Sequence, residues 1–407
     1  MSALAAEDPF SALLGLVSPS CDALKVVDLR ISDATVERGL VARRPVAEGE
    51  VVLRVDREHT YSEDSCDAAL AAALDTGDHV AVDGFLVKMV LALHDIRSST
   101  GGIDAAYFQT LPTDFSHMPL HFNDAILDAF GPSFPLSKLA AAVREQCAMA
   151  HAVLCGLELP TPISLDFVHW ATCCLNSRCF EFSAGEPGAP PQRCLIPFAD
   201  LLNHSFSPNL RHHVDSDGAF SFTATRDIAE GDELTVEYRG DLDACSFLLH
   251  YGFYPHEAVS GGEGLRVFFR VAFDEADLGE GAPLRAAVRS LGLEPSADMA
   301  LPATIEQPLP PLWIWLLRLK GMTTAQRTGF AAGRVELGAA VEAEAWATIR
   351  QTLSDHREWY LARQSDARAA EARDATGSRA VQELSAVVAK VAIEVTTAAL
   401  AQLPPGP

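Results

Sequence analysis

The sequence has no stretch of eighteen uncharged apolar residues, and the run "PPLWIWLLRLK" is too short to span a bilayer, which argues against a membrane protein. Basic residues are scarce. The 31 Lys and Arg stand against 55 Asp and Glu, and the resulting net charge of −24 opposes nucleic-acid binding and favours a basic protein partner. No Cys-x-x-Cys pair occurs among the nine cysteines, and adjacent Cys173 and Cys174 would point apart on a helix. They read as reduced, intracellular core thiols with no metal site. The start "MSALAAEDPF" lacks a basic n-region and carries Glu7 and Asp8 where a transit peptide would be Arg-rich. The expected compartment is the cytoplasm, with nucleus and plastid as alternatives.

The 407 residues, 48% hydrophobic and 21% charged, describe a globular chain of two or three domains. One internal echo stands out. "LVARRPVAEGEVVLRV" (40–55) and "FTATRDIAEGDELTVEY" (222–238) align at a constant offset of 182, matching Ala42 with Ala224, Arg44 with Arg226 and Ala47-Glu48-Gly49 with Ala229-Glu230-Gly231. Each reads as strand, turn, strand, with glycine supplying the turn. Leu234, Val236 and Tyr238 alternate with Thr235 and Glu237, the period of a half-buried strand. Two such distant copies predict one β domain built from separated segments.

From about 63 to 169 the pattern turns helical. Phe85, Val87, Met89, Val90, Leu93 and His94 share one broad face before Ser98 to Gly102 breaks the run, and Ser164 reads as the N-cap of a helix delivering Asn176-Ser177-Arg178. "EGLRVFFRVAF" reads as a strand, and helices are expected from about 308 onward. Gly- and Pro-rich linkers are read at 183–192, 260–264 and 306–311.

The densest knot of polar groups is "IPFADLLNHSFSPNL" (196–210), in which Ile196, Phe198, Leu201 and Leu202 are expected to be buried. Together with Glu37-Arg38-Gly39-Leu40, Ser177-Arg178-Cys179-Phe180, "GDELTVEY" and "LLHYGFYP", it resembles the SET-domain methyltransferases. The resemblance is to the subclass typified by the plant Rubisco large-subunit lysine methyltransferase, whose relatives include an actin histidine methyltransferase. It implies an α+β chain. Residues 1–29 would be an N-terminal extension, 30–258 a mostly β SET domain with a pseudoknot and a helical insertion, and 259–407 a mainly helical substrate-binding domain.

The resemblance also implies roles. Glu37, Arg38, Gly39 and Leu40 match the family's glycine-rich turn on the methionyl part of S-adenosylmethionine, although Glu37 stands where the subclass has glycine. An ordinary turn before a strand is the alternative. Ser177 and Arg178 match a pair bordering the cofactor, and Arg would suit its carboxylate through a planar fork; a helix C-terminal cation is the alternative. Asn203 and His204 match contacts to the amino group and adenine, against a satisfied core histidine. Asp200 matches a position lining the substrate channel, or anchors the loop. Tyr238 matches the catalytic tyrosine, and Tyr251 the second tyrosine of the Tyr-Gly-Phe segment, against a core aromatic.

Methyl transfer from a sulfonium needs in-line approach by a neutral nitrogen. A lysine of ordinary pKa about 10.4 is neutral in roughly one molecule in 2,500 at pH 7, a penalty of about 4.6 kcal/mol. An apolar channel lowers that penalty, and Phe180, Tyr238, Tyr251 and Phe253 are its expected walls. The zinc-binding Cys-x-Cys-x4-Cys segment of many SET enzymes is missing after Cys245, so the helical C-terminal region is the expected substitute and zinc is dispensable. A monomeric protein-lysine N-methyltransferase is the leading expectation; a histidine acceptor and a non-catalytic SET-like binding protein are the alternatives.

Overall fold

Gly49 and Gly231 take the left-handed backbone that their turns require, with φ of 83° and 89°. Around them the two echoed segments fold as read. The first gives β2 (Val36–Ala42) and β3 (Val51–Val55); the second joins β8 (Phe220–Ala224) to β9 (Glu233–Val236). The computed structural model describes residues 9–19, 21–30, 36–75, 83–182, 192–238, 244–254, 265–334, 337–370 and 379–404. The chain divides into one unit of residues 1–115 with 142–241 and another of 116–141 with 242–407.

In the first unit, the order β1-β2-β9-β6 makes a four-stranded sheet and β3-β8-β7 a three-stranded one, where β1 is Leu24–Arg30, β6 Asn203–His204 and β7 Leu210–Val214. β1 lies inside the segment read as an extension, yet it pairs along its whole length with β2. The echoed copies bond to each other reciprocally. Val46 and Ile228 exchange both backbone hydrogen bonds at 2.9 Å, while Gly49 N–H donates to Ala224 O and Gly231 N–H to Ala42 O, also at 2.9 Å. Leu40, Val52, Leu53, Val55, Phe220, Phe222, Leu234 and Val236 fill the core beside them.

After α1 (Pro9–Val17) near the start of the chain, the helical segment supplies α2 (Ala68–Asp75), α3 (Gly84–Ser98), α4 (Gly102–Thr110), α5 (Asp124–Asp128), α6 (Leu136–Cys155) and α7 (Leu165–Arg178). α1 belongs with these helices in packing only, since it precedes them in the chain. α3 ends where the Ser98 to Gly102 break was expected. Ser164 caps α7, its hydroxyl accepting from Phe167 N–H. The hairpin of β4 (Cys179–Phe182) and β5 (Gln192–Leu195) follows α7 without a linker. The linker read at 183–192 lies outside the described residues up to 191, as does the one at 260–264.

The second unit holds α8 (Ala244–Tyr251), the hairpin of β10 (Val267–Ala272) with β11 (Asp298–Ala303), and α9 (Pro283–Ser290), α10 (Pro311–Gly321), α11 (Thr324–Ala331), α12 (Ala339–Ala370) and α13 (Arg379–Gln402). β10 and the helices from Pro311 onward fall where they were read, whereas α9 and β11 had no sequence expectation. Tyr360 Oη donates to Phe130 O at 3.0 Å and Phe268 N–H to Ser133 O at 2.7 Å, so the 116–141 segment is tied to α12 and β10. Within α13, Ser385–Gln402 is long and apolar enough to cross a membrane by length and composition. Its Val388, Ala392, Val395 and Ala399 recur at helical spacing and are buried within the unit.

Candidate functional site

The knot at 196–210 opens as expected with Ile196, Phe198, Leu201 and Leu202 buried. Phe198 takes φ 72°, ψ −41°, the one left-handed non-glycine residue among those described. A bulky side chain is strained in that region, at a cost of about 1–3 kcal/mol. The bend turns the chain into the short 3-10 segment Ala199–Leu201, which presents its last carbonyls to neighbouring side chains.

Directly after it, β6 runs parallel to β9, pairing Asn203 with Thr235 and His204 with Val236. β9 stops two residues before Tyr238. There His204 Nδ1 accepts the Tyr238 N–H at 3.2 Å, replacing a ladder bond, and Tyr238 Oη donates to Leu202 O at 2.8 Å. The two rings lie 5.4 Å apart. Burial pushes the His204 imidazole down to about 4, so it is neutral at pH 7 and accepts through Nδ1. The Asn-His pair and the terminal tyrosine are thus brought together, as the resemblance implied.

Residues 37–40, expected as a glycine-rich turn, are strand. They lie in β2, each opposite a β1 residue: Glu37 by Leu29, Arg38 by Asp28, Gly39 by Val27 and Leu40 by Val26. A full-length antiparallel partner in β1 favours extended backbone over a turn. Arg38 O nevertheless joins the site, accepting from Asn203 Nδ2 at 3.2 Å, while Glu233 Oε1 accepts from the same amide at 2.9 Å.

Ser177 and Arg178 end α7. The Ser177 hydroxyl is turned back along the helix, donating to Cys173 O at 2.7 Å. Arg178 reaches Asp200: its Nη1 donates to Asp200 O at 3.0 Å and lies 3.3 Å from Asp200 Oδ2. Tyr107 Oη on α4 donates to that same oxygen at 3.0 Å. Burial pushes the Asp200 carboxyl up, against the downward pull of Arg178 and Tyr107. Asp200 in turn keeps Arg178 protonated in spite of burial.

Phe180 is half-buried on β4, edge-on to Phe222 at 5.6 Å and to His212 at 5.4 Å. Tyr251 and Phe253 belong to the second unit, where both rings pack against Phe247 at 5.6 and 5.8 Å. Gly252 between them has φ 76°, and a Cβ there would stand 2.4 Å from His117 Cδ2, so only glycine fits. All nine cysteines are free; six are buried, Cys21 and Cys179 are partly buried and Cys155 is exposed, and burial pushes Cys173 and Cys194 up to about 12.

Sequence reasoning missed three residues that build this site. Asn209, in the motif but given no role, donates to Glu233 O at 2.7 Å and accepts from Thr235 N–H at 2.8 Å, pinning β9. Glu233 holds Asn203. Both lay in quoted motifs, whereas Tyr107 sits in the helical segment with no local signal.

The cofactor implied by the resemblance carries an amine and a carboxylate on its methionyl end. Arg178 Nε and Asp200 Oδ1 are buried with no hydrogen-bond partner among the described residues. Arg178 was expected at such a ligand and Asp200 at the substrate channel; the uncommitted donor on Arg178 suits the carboxylate.

Residues 37–239 match the family model described as SET domain. Among curated proteins, the chloroplastic ribulose-1,5 bisphosphate carboxylase/oxygenase large subunit N-methyltransferase of Pisum sativum is 24% identical over 247 residues, 56% of this chain and 48% of the relative. The Nicotiana tabacum protein of the same name is 24% identical over 300 residues, 69% of this chain and 57% of the relative. The chain therefore spans about half the length of these curated relatives. The solved SET domain of LSMT bound to lysine and AdoHcy superimposes with a TM-score of 0.72 at 16% identity, covering 97% of this chain and 89% of that one. Rubisco LSMT bound to AdoMet gives 0.70 at 18%, covering 97% and 89%. The α+β fold is that of these structures.

Proposed function

Because the chain belongs to the SET-domain proteins, we propose that it is an S-adenosylmethionine-dependent protein-lysine N-methyltransferase. The observation that carries this reading is Tyr238, held at the end of β9 with its hydroxyl on Leu202 O and its N–H on His204, beside Asn203. The pea and tobacco relatives carry N-methyltransferase names and support the same chemistry here.

When bound, the cofactor supplies a methyl group on a positively charged sulfur. Arg38, Gly39 and Leu40 of β2, with Glu37 beside them, offer backbone to its methionyl part. Asn203 and His204 bind its amino and adenine groups, and Arg178 faces its carboxylate. Ser177 contributes the backbone at the end of α7, its hydroxyl being committed elsewhere. Tyr238 orients the acceptor amine through its hydroxyl oxygen, which still has acceptor capacity while its proton is on Leu202 O. Asp200 and Phe180 line the acceptor's path, and apolar walls favour the neutral amine.

The acceptor is a basic protein, drawn by the net charge of −24. Residues 30–258 are the methyltransferase part and 259–407 the part that holds the protein substrate, in a chain that works as a monomer. The chloroplastic relatives favour a plastid over the cytoplasm.

The test needs no known substrate. Thermal unfolding with and without S-adenosylmethionine is compared for the parent and for Asn203→Ala. Cofactor at 100 times its dissociation constant stabilises by about 2.7 kcal/mol, and the gain should appear only in the parent. Transfer of labelled methyl groups to a mixture of basic proteins, followed by acid hydrolysis, should then release N-methyl-lysine. Methyl-histidine would change the acceptor, and no stabilisation at millimolar cofactor would leave a SET-shaped binding protein.

A further inference from the structure

Arg178 divides one nitrogen between two parts of the same residue: Nη1 donates to the Asp200 main-chain carbonyl at 3.0 Å and stands 3.3 Å from its carboxylate Oδ2. An unshared carboxylate would draw the guanidinium into a two-pronged pair, the geometry that Arg and carboxylate prefer. A second donor on Oδ2 competes with Arg178 for that oxygen and favours its place on the carbonyl. The group that does so is the Tyr107 hydroxyl, 3.0 Å away on a fully buried ring. That ring is fixed from behind by Tyr61, stacked at 5.3 Å, whose own hydroxyl donates to Asp104 Oδ1 at 2.6 Å.

The carbonyl that Arg178 holds belongs to the 3-10 segment Ala199–Leu201, entered through the left-handed Phe198 and closed by Leu202 N–H on Ala199 O at 3.0 Å. Leu202, the residue that closes this turn, accepts the Tyr238 hydroxyl at 2.8 Å. A strained turn held at one carbonyl by Arg178 presents another to the tyrosine, so a shift at Asp200 O moves the acceptor of Tyr238. Strained backbone persists only while its surroundings over-determine it.

We propose that Tyr107 is a positioning residue for methyl transfer: by occupying Asp200 Oδ2 it keeps Arg178 on the Asp200 carbonyl and so sets the orientation of the Tyr238 hydroxyl. It touches neither cofactor nor acceptor. The proposal rests on the methyltransferase reading for its effect on turnover, and on geometry alone for its effect on Tyr238.

Two measurements separate these. In protein labelled with ¹³Cζ-tyrosine, the Tyr238 resonance is assigned by its loss in Tyr238→Phe. Tyr107→Phe should shift that resonance, whereas Tyr360→Phe, which removes a buried hydroxyl in the second unit, should leave it in place. Adding Asp200→Asn to Tyr107→Phe weakens the pull on Arg178 and should return the resonance toward the parent position. In the methyl-transfer assay, Tyr107→Phe should lower kcat about tenfold, as a misplaced catalytic group does. An unmoved Tyr238 resonance in Tyr107→Phe overturns the proposal, and so does a kcat equal to that of an active parent. A parent without any turnover sinks the proposed function, and the resonance alone then decides the positioning.

Discussion

The two echoed segments, 40–55 and 222–238, are built alike and used differently. Their hydrogen bonds are interchangeable: Ala42 N–H donates to Asp232 O and Ala224 N–H to Glu50 O, each at 2.9 Å. Even the turn side chains repeat, with Ala47 N–H on Glu50 Oε2 and Ala229 N–H on Asp232 Oδ2, both at 3.2 Å. What differs is the neighbour of the outgoing strand. β3 pairs with β8 and ends in the exposed 3-10 turn Arg57–His59, whereas β9 runs beside Asn203 and His204 and leads to Tyr238. Local sequence dictates the turn, while chemistry arises from what the strand meets.

Removing the chemistry from the second copy should give the largest effect. Tyr238→Phe loses the hydroxyl on Leu202 O, and turnover in the methyl-transfer assay should fall about 10²-fold, with cofactor binding by calorimetry within a few-fold of the parent. Wild-type turnover in this variant would take Tyr238 out of the mechanism.

The comparison is sharpest at its two glycines. Neither added Cβ would meet an atom within 4 Å, so Gly49→Ala and Gly231→Ala should each cost only the left-handed backbone penalty. That penalty is about 1–2 kcal/mol, read as matching losses in denaturant melts. Turnover per folded molecule should drop only in Gly231→Ala, because its strand leads to Tyr238. Equal loss of turnover in both would mean that the first copy also serves the site.

Acid should loosen the end of the second copy. His204 is held at about 4 against an ordinary 6.5, so between those pH values the unfolded chain takes up a proton that the folded chain refuses. Stability therefore falls as pH drops through that window and is unaffected by this group above it. In His204→Asn the slope should shrink, leaving the part due to His94, His212 and His356, which burial also holds down.

Smallest is the effect of the paired arginines. Arg44 bridges Asp22 and Glu50 at 2.8 and 2.7 Å on the surface, and Arg226 donates to Ser207 O at 3.1 Å. Arg44→Gln should lower the melting temperature less than either glycine change, and the difference should vanish at high salt. Arg226→Gln, which breaks no ion pair among the described residues, should show no such salt dependence.

The echo was legible because its determinants are local: a turn glycine, period-2 alternation and matched spacing. So were Ser164 as a cap, the break after Ser98 and the meeting of Asn203, His204 and Tyr238, the last through a motif rather than a period. The turn expected at residues 37–40 came from the match to the family's glycine-rich segment, and their pairing with β1 is a tertiary fact that such a match does not carry. Tyr107 and Phe198 gave no sign at all. A buried tyrosine looks like any core aromatic until its hydroxyl finds Asp200, and a left-handed phenylalanine contradicts its own local preference.

The reciprocal bonding of the two copies also constrains how the chain is made. At about 5–20 residues per second, the segment around Val46 leaves the ribosome roughly 10–35 s before the segment around Ile228 that completes its sheet. During that interval β2 and β3 have unpaired edges, a template for wrong partners. Only β1 is available to cover β2 early. The strand at residues 24–30 thereby acquires a second duty, as a temporary guard for an edge whose permanent partner has yet to be synthesised.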